Sequence, residues 1–193
     1  KPVIWRTIGQ SNQIIEGQMG NLRKNNPNLK IVRYSPTERN YKNYAGEDDI
    51  IRFGKRPDEW ANWNGKDNQL VTVVQSMKRR GFHCAWDVFE SLSNRISCKL
   101  YGGDNVEVDK PLNCGSPSYD ELLNVYKNHR AYFYAGTIPA NYTLNFVEAW
   151  MTGIPIIAIS SKLVKDGNTG VYEIPNLIEH GYNGFIAESV DEI

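Results

Sequence analysis

Residues 129–159, HRAYFYAGTIPANYTLNFVEAWMTGIPIIAI, decide the fold. Residues 131–135 are aromatic and small, a strand bounded by Gly136. Residues 136–142 read as a loop. Residues 144–152 carry apolar side chains at helical spacing and stop at Gly153, the residue that most readily takes the left-handed conformation at a helix end. Residues 154–159 form a continuous apolar run, the pattern of a strand covered on both faces of a parallel sheet. Strand, loop, helix and strand in this order make a βαβ unit. The helix opens beyond the carboxyl end of a strand, where such sheets bind ligands, and its first turn offers unpaired amides to an anion.

Upstream the same alternation holds. Residues 69–74 are a β-branched strand followed by a basic loop at 76–81, SMKRRG. A helix over 84–93 has Ala85, Trp86, Val88, Phe89 and Leu92 on its apolar positions. A strand at 96–101 runs into Gly102-Gly103, then a loop over 104–116. Residues 119–128 are an amphipathic helix capped by Ser118. Downstream lie a polar loop at 160–170, a short helix at 175–180, a turn at 181–184 and a strand at 185–187. Residues 189–193 read as the start of a helix. From residue 69 on this is an open parallel sheet with helices on both faces. The N-terminal part holds strands at 2–8 and 29–34, a helix at 13–23 between them, and a short strand at 50–53. Residues 58–68 read as a polar loop with two Trp. A buried-type strand at the first residues and a helix start at the last predict a piece of a longer protein.

The 193 residues suffice for a sizeable core, and 40% hydrophobic with 23% charged residues exclude a disordered chain. Lys plus Arg and Asp plus Glu are both 22, which argues against a nucleic-acid coat. Residues 1–47 nevertheless carry eight basic against three acidic residues, and residues 48–193 fourteen against nineteen, so the two parts are +5 and −5. The basic part would suit an anionic substrate or a membrane surface, with a solvated surface as the simpler reading. Three Cys (84, 98 and 114) without a C-x-x-C suggest reduced thiols in a cytoplasmic setting. His83 beside Cys84 lacks further ligands at zinc spacing, so no metal is expected.

The chain has no G-x-G-x-x-G, no Walker A and no G-x-S-x-G, and Gly54-Lys55 and Gly65-Lys66 lack the rest of a P-loop. Thr143 would cap the helix at 144–152 or bond a phosphate. Glu148 sits among Phe146, Val147, Ala149 and Trp150, where a carboxylate needs a partner unless it faces solvent. Lys78, Arg79 and Arg80 follow a strand's carboxyl end and could hold phosphates, a solvated turn being the alternative. Asn141-Tyr142-Thr143 matches a glycosylation sequon, disregarded here for want of a secretion signal. The three His residues share no spacing and read as structural.

From about residue 50 onward these pieces resemble the C-terminal, donor-binding domain of GT-B glycosyltransferases, closest to family 4: VVQSMKRRG, KLYGG, YDELLNVYKNHRAYFYAG, NFVEAWMTGIPIIAI and IPNLIEHGYNGFIAES in that order. PVIWRTIGQ and LKIVRYSPTE resemble the tail of the N-terminal, acceptor-side domain. The resemblance therefore implies residues 1–47 as the end of one domain and residues 48–193 as a nucleotide-sugar domain cut short at its C-terminal end. It also implies an α/β, Rossmann-like parallel sheet flanked by helices. The implied activity is transfer of a sugar from a nucleotide-sugar to a glycan, lipid-linked or protein acceptor, with retention, without a metal and without a cofactor. A cytoplasmic place with peripheral membrane contact goes with it.

The family has two Glu eight positions apart around the donor loop. The second aligns with Glu148, which would bond the ribose hydroxyls, and the first falls at Ala140. Asn141, Tyr142, Thr143 and Leu144 take the place of the segment whose backbone meets sugar and phosphate. Arg80 fits the family's Lys position, and Lys78 or Arg79 would stand in for its Arg. The 102–116 loop would line the base pocket. The missing first Glu and the altered basic loop keep open a catalytically silent nucleotide- or partner-binding module, and a sugar-nucleotide epimerase, which shares the fold, is a third reading.

Overall fold

Two parallel sheets organise the computed structural model, which describes residues 1–9, 11–60, 62–137, 140–164 and 169–193. The first sheet has the order β1-β2-β3, with β1 at Val3–Arg6, β2 at Leu29–Arg33 and β3 at Asp49–Ile50. Between β1 and β2 runs α1, Gln13–Asn25, whose cap Asn12 accepts the amides of Ile14 and Ile15 at 2.9 and 3.0 Å. Pairing of β3 with β2 carries this sheet to Ile50, past the boundary drawn between residues 47 and 48. The expected strand at 50–53 stops early because Arg52 and Phe53 are drawn away to Glu173 and Tyr142.

The second sheet has the order β5-β4-β6-β7-β8: β4 Asp67–Val73, β5 Cys98–Tyr101, β6 His129–Tyr134, β7 Ile156–Ile159 and β8 Phe185–Ala187, all parallel. This is the expected Rossmann-like α/β architecture. The chain leaves β4 for β5 on one side and returns past it to β6 on the other. The strand order therefore reverses at β4 and β6, the switch point where a crevice opens. The longer helices are α4 (Trp86–Ser93), α5 (Tyr119–Asn128) and α6 (Leu144–Thr152). Ser118 and Glu121 close a reciprocal capping box on α5, and Gly153 ends α6 at φ +82°. Phe89, Tyr126, Tyr132, Phe133, Phe146 and Ile156 are almost wholly buried between sheet and helices, worth roughly 1.5–3 kcal/mol for each large apolar side chain.

Two stretches expected to be loops are single helical turns. Pro57–Trp60 forms α2, because Trp60 buries completely and meets Tyr119 edge-on at 5.6 Å. Met77–Arg80 forms α3, because Met77 buries and its amide is held by Asn105 Oδ1 at 2.8 Å. The short α7 is Ile174–Leu177, and residues 190–192 form one 3-10 turn rather than an α-helix.

Where β2 ends, the first sheet's interior is ionic. Arg33, Glu16 and Glu38 are all fully buried. Arg33 makes two parallel bonds of 2.8 Å to Glu16, reaches Glu38 at 3.3 Å and donates to Gly46 O. Ser11 Oγ and the Ala45 amide complete Glu16, while Glu38 accepts from Tyr34 N, Ser35 N and Thr7 Oγ1. Burial pushes both carboxyls upward. For Glu16 the bonds from Arg33, Ser11 and Ala45 outweigh it, and the net shift is downward. For Glu38 burial wins and the net shift is upward.

Candidate functional site

A cleft of about 310 Å³ opens at the carboxyl ends of β4 and β6, with Arg80, Gly102, Tyr134, Thr137, Thr143 and Asn145 on its walls. Its floor is set by a close approach of backbones. Gly102 has φ +129°, and a Cβ there would lie 2.5 Å from Val74 O. Asn105 Nδ2 clamps the same place by donating to Val74 O at 2.8 Å and Gly102 O at 3.0 Å.

Arg80, the last residue of α3, donates from Nη2 to Thr137 Oγ1 at 3.0 Å and from Nη1 to Gln75 O at 3.5 Å. Both acceptors are neutral, and among the described residues no carboxylate forms an ion pair with it. Opposite stands the N-terminus of α6. Thr143 does not cap it with its side chain. Its hydroxyl lies 3.2 Å from Tyr134 Oη, and its amide donates to the same oxygen at 3.0 Å. Burial, opposed by these Thr143 bonds, pushes the Tyr134 phenol well up, so it stays protonated. Asn145, in the first turn of α6, donates to Val73 O at 2.7 Å and ties the helix to β4. A cation with no counter-ion among the described residues and the positive end of a nine-residue helix thus face one cleft, which suits an anion.

The remaining residues named from the sequence are dispersed around this cleft. Leu144 opens α6 and is about half exposed. Lys78 points to α4, its ammonium 5.5 Å from the Trp86 ring. Arg79 donates to Ser76 Oγ. Asn141 and Tyr142 are buried, with their side-chain polar atoms bonded to residues that follow β2. Tyr34 Oη donates to Asn141 Oδ1 at 2.9 Å, Asn141 Nδ2 to Thr37 Oγ1 at 2.6 Å, and Tyr142 Oη to Tyr34 O at 3.0 Å. Beside them Glu173 accepts from Ser35 Oγ at 2.5 Å and from both Arg52 Nη atoms at 3.0 and 2.5 Å. These bonds form a polar seam that fixes the approach to α6 from outside its own sheet. They also bury the sequon asparagine. Ala140 is buried, its amide on Thr137 O at 2.6 Å. Glu148, 9% exposed, is not among the residues that line the cleft, and it pairs with Lys55 Nζ at 2.9 Å.

Ile138, Pro139 and residues 165–168 of the two loops at this end of the sheet lie outside the described residues. Among the described residues no three His, Cys, Asp or Glu side chains converge as a metal site requires. His129 Nδ1 lies 2.8 Å from Val125 O, and His180 Nδ1 accepts the Ile186 amide. Cys84 and Cys98 are buried thiols. Burial raises both, Cys98 to about 11, so neither is a ready nucleophile. Among the described residues no helix is long and apolar enough to cross a membrane.

Thr137, Tyr134, Asn145 and Lys55 were missed in the sequence. Thr137 and Asn145 flank the loop already singled out, and their positions after a strand and in a helix's first turn were the available signal. Lys55 follows a Gly, which marks it only as an incomplete P-loop lysine.

No protein-family model matches the chain, and no curated protein sequence matches it. Among solved structures it is similar to Alr3699/HepE of Anabaena, determined in complex with UDP and glucose, with a TM-score of 0.66 over 98% of this chain. Identity is 12%, and the match covers 58% of that protein's length, so this chain spans little more than half of it. The likeness defines the class as an α/β fold of the Rossmann-like GT-B type. At this identity it carries the fold alone.

Proposed function

We propose that the chain is the nucleotide-sugar-binding part of a GT-B glycosyltransferase of the family 4 kind. It would pass a sugar from a nucleotide-sugar to a glycan, lipid-linked or protein acceptor, with retention and without a metal. The observation that carries this reading is Arg80, without a carboxylate partner among the described residues, facing the N-terminus of α6 across the switch-point cleft. As the bond from the sugar's anomeric carbon to the diphosphate breaks, negative charge grows on the leaving diphosphate. Arg80 and the helix end would stabilise it there without reorganising. Asn145 and the Tyr134–Thr143 pair would hold the helix end in register, and Glu148 would take the ribose hydroxyls rather than act as nucleophile. A neighbour determined with UDP and glucose supports a nucleotide-sugar as the ligand class. Lys78 and Arg79 belong to this proposal only as part of the basic surface around α3, together with peripheral membrane contact and a cytoplasmic place.

Calorimetry with UDP, GDP and ADP tests the reading. One nucleotide should bind, and Arg80→Ala should weaken it about ten- to a hundredfold, equivalent to about 1.5–3 kcal/mol for a lost bond to a charged group. A folded chain that binds none of the three overturns it. The silent-module alternative draws on Ala140 in place of a carboxylate and on the altered basic loop at 76–81. It predicts nucleotide binding without turnover in the presence of acceptors. An epimerase would convert the donor with no acceptor present.

A further inference from the structure

Tyr134, the last residue of β6, is 2% exposed, and its ring packs against Phe146 at 5.2 Å and Tyr132 at 6.2 Å. Gly136 leaves room for that ring, since a Cβ there would lie 3.3 Å from Tyr134 Cε1. So placed, the phenol oxygen accepts the Thr143 amide at 3.0 Å. The backbone donor at the head of α6 is therefore spent on a side chain and is not open to the cleft.

The same oxygen lies 3.2 Å from Thr143 Oγ1, and both residues line the cleft. Two hydroxyls carry two protons, and one proton makes the bond between them. Among the described residues neither oxygen has a further hydrogen-bond partner. One hydroxyl proton is thus left over at the cleft wall. A phenol oxygen that already accepts an amide is completed by donating its own proton to Thr143 Oγ1. That leaves the Thr143 proton for the cleft, and Thr143 is the more exposed of the two. From this count we infer that the Thr143 hydroxyl donates to an anionic oxygen in the cleft, and that Tyr134 is the positioning residue that aims it. The inference rests on the nucleotide reading above, in which that oxygen belongs to the diphosphate. Where the resemblance puts a backbone contact at residues 141–144, this chain uses a side-chain hydroxyl held by a buried phenol.

Calorimetry with inorganic pyrophosphate, and with whichever of UDP, GDP and ADP binds best, tests the inference. Thr143→Val removes the hydroxyl and keeps the amide on Tyr134, so the helix end stays in place. It should weaken both ligands about tenfold, the size of one lost bond to a charged group. Thr143→Ser, which restores a hydroxyl, should recover most of that loss. Tyr134→Phe leaves the hydroxyl unaimed and should weaken both ligands about three- to tenfold. If Tyr134→Phe does not fold, the two Thr143 variants decide alone. Wild-type affinity in Thr143→Val, or a loss that Thr143→Ser does not recover, overturns the inference. Tighter binding by Tyr134→Phe also overturns it, because the phenol would then be withholding the Thr143 amide from the ligand. Nucleotide binding indifferent to Thr143→Val removes the hydroxyl donor and leaves the nucleotide reading standing. Pyrophosphate binding that depends on Thr143, in a chain that takes no nucleotide, removes that reading and leaves the donor. A folded chain that binds neither pyrophosphate nor a nucleotide overturns both.

Discussion

Replacing Arg33 with Met should destabilise the chain by about 3–5 kcal/mol, the cost of removing one partner from a buried ionic group. Met keeps an unbranched apolar stem and removes the guanidinium, so the larger part of the loss is electrostatic. Glu16 would keep only Ser11 and the Ala45 amide, and Glu38 its three other donors, each carboxylate then being buried without a cation. The pH dependence distinguishes this from a packing defect. In the wild-type chain the lowered Glu16 contributes stability above its unfolded value near 4.5, lost as pH falls through its folded value. The raised Glu38 has the opposite sign: its share is present below 4.5 and lost as pH rises through its folded value. Without Arg33 both carboxyls shift upward, so the deficit of the variant should shrink as pH falls toward 4.5 and widen toward neutrality. Urea midpoints at several pH values read this directly. A deficit below about 1 kcal/mol, the scale of an exposed pair, or one independent of pH would show that the cluster is not held by its charges.

Local signals were legible in the sequence and distant ones were not. The apolar run of β7, the stop at Gly153 and the capping box at Ser118 depend on residues within a few positions of one another. Both α2 and α3 were read as loops because a four-residue helix shows no period. What makes them helical is the burial of Trp60 and the bond from Met77 to Asn105, 28 positions away. The same division runs through the site. Arg80 and Thr143 meet because both follow strands of one sheet, and alternating strands and helices predict that end. Lys78 and Arg79 diverge from Arg80 because neighbours on a helix point about 100° apart, which a loop assignment conceals. The resemblance puts Asn141 and Tyr142 in a segment whose backbone meets a ligand and says nothing of their side chains. Their partners, Tyr34 and Thr37, stand more than a hundred positions earlier, at separations of 107, 104 and 108. Nothing near residue 141 announces them.

Gly102→Ala should cost about 2–4 kcal/mol, combining a strained backbone conformation with a steric conflict, and should abolish nucleotide binding at the cleft. The pair Gly102-Gly103 was legible only as a strand stop, yet its two members are not equivalent. Gly102 has φ +129°, where side chains are rarely found, and its added Cβ would stand 2.5 Å from Val74 O and 2.7 Å from Val74 C. Both are backbone atoms of the residue that follows β4 and cannot rotate away. The carbonyl is also fixed by Asn105, which in turn holds the Met77 amide at the start of α3. Any displacement of Val74 therefore passes through Asn105 to the helical turn that carries Arg80. Gly103 has no atom within 4 Å of a Cβ and no positive φ. Gly103→Ala should change stability by no more than about 0.5 kcal/mol and leave nucleotide affinity untouched. Thermal or urea unfolding of the two variants side by side, with calorimetry on each, checks both halves. Equal behaviour would mean that the close approach of β4 and β5 does not set the floor of the cleft. A stable Gly102→Ala that still binds would show that Arg80 is placed independently of that floor.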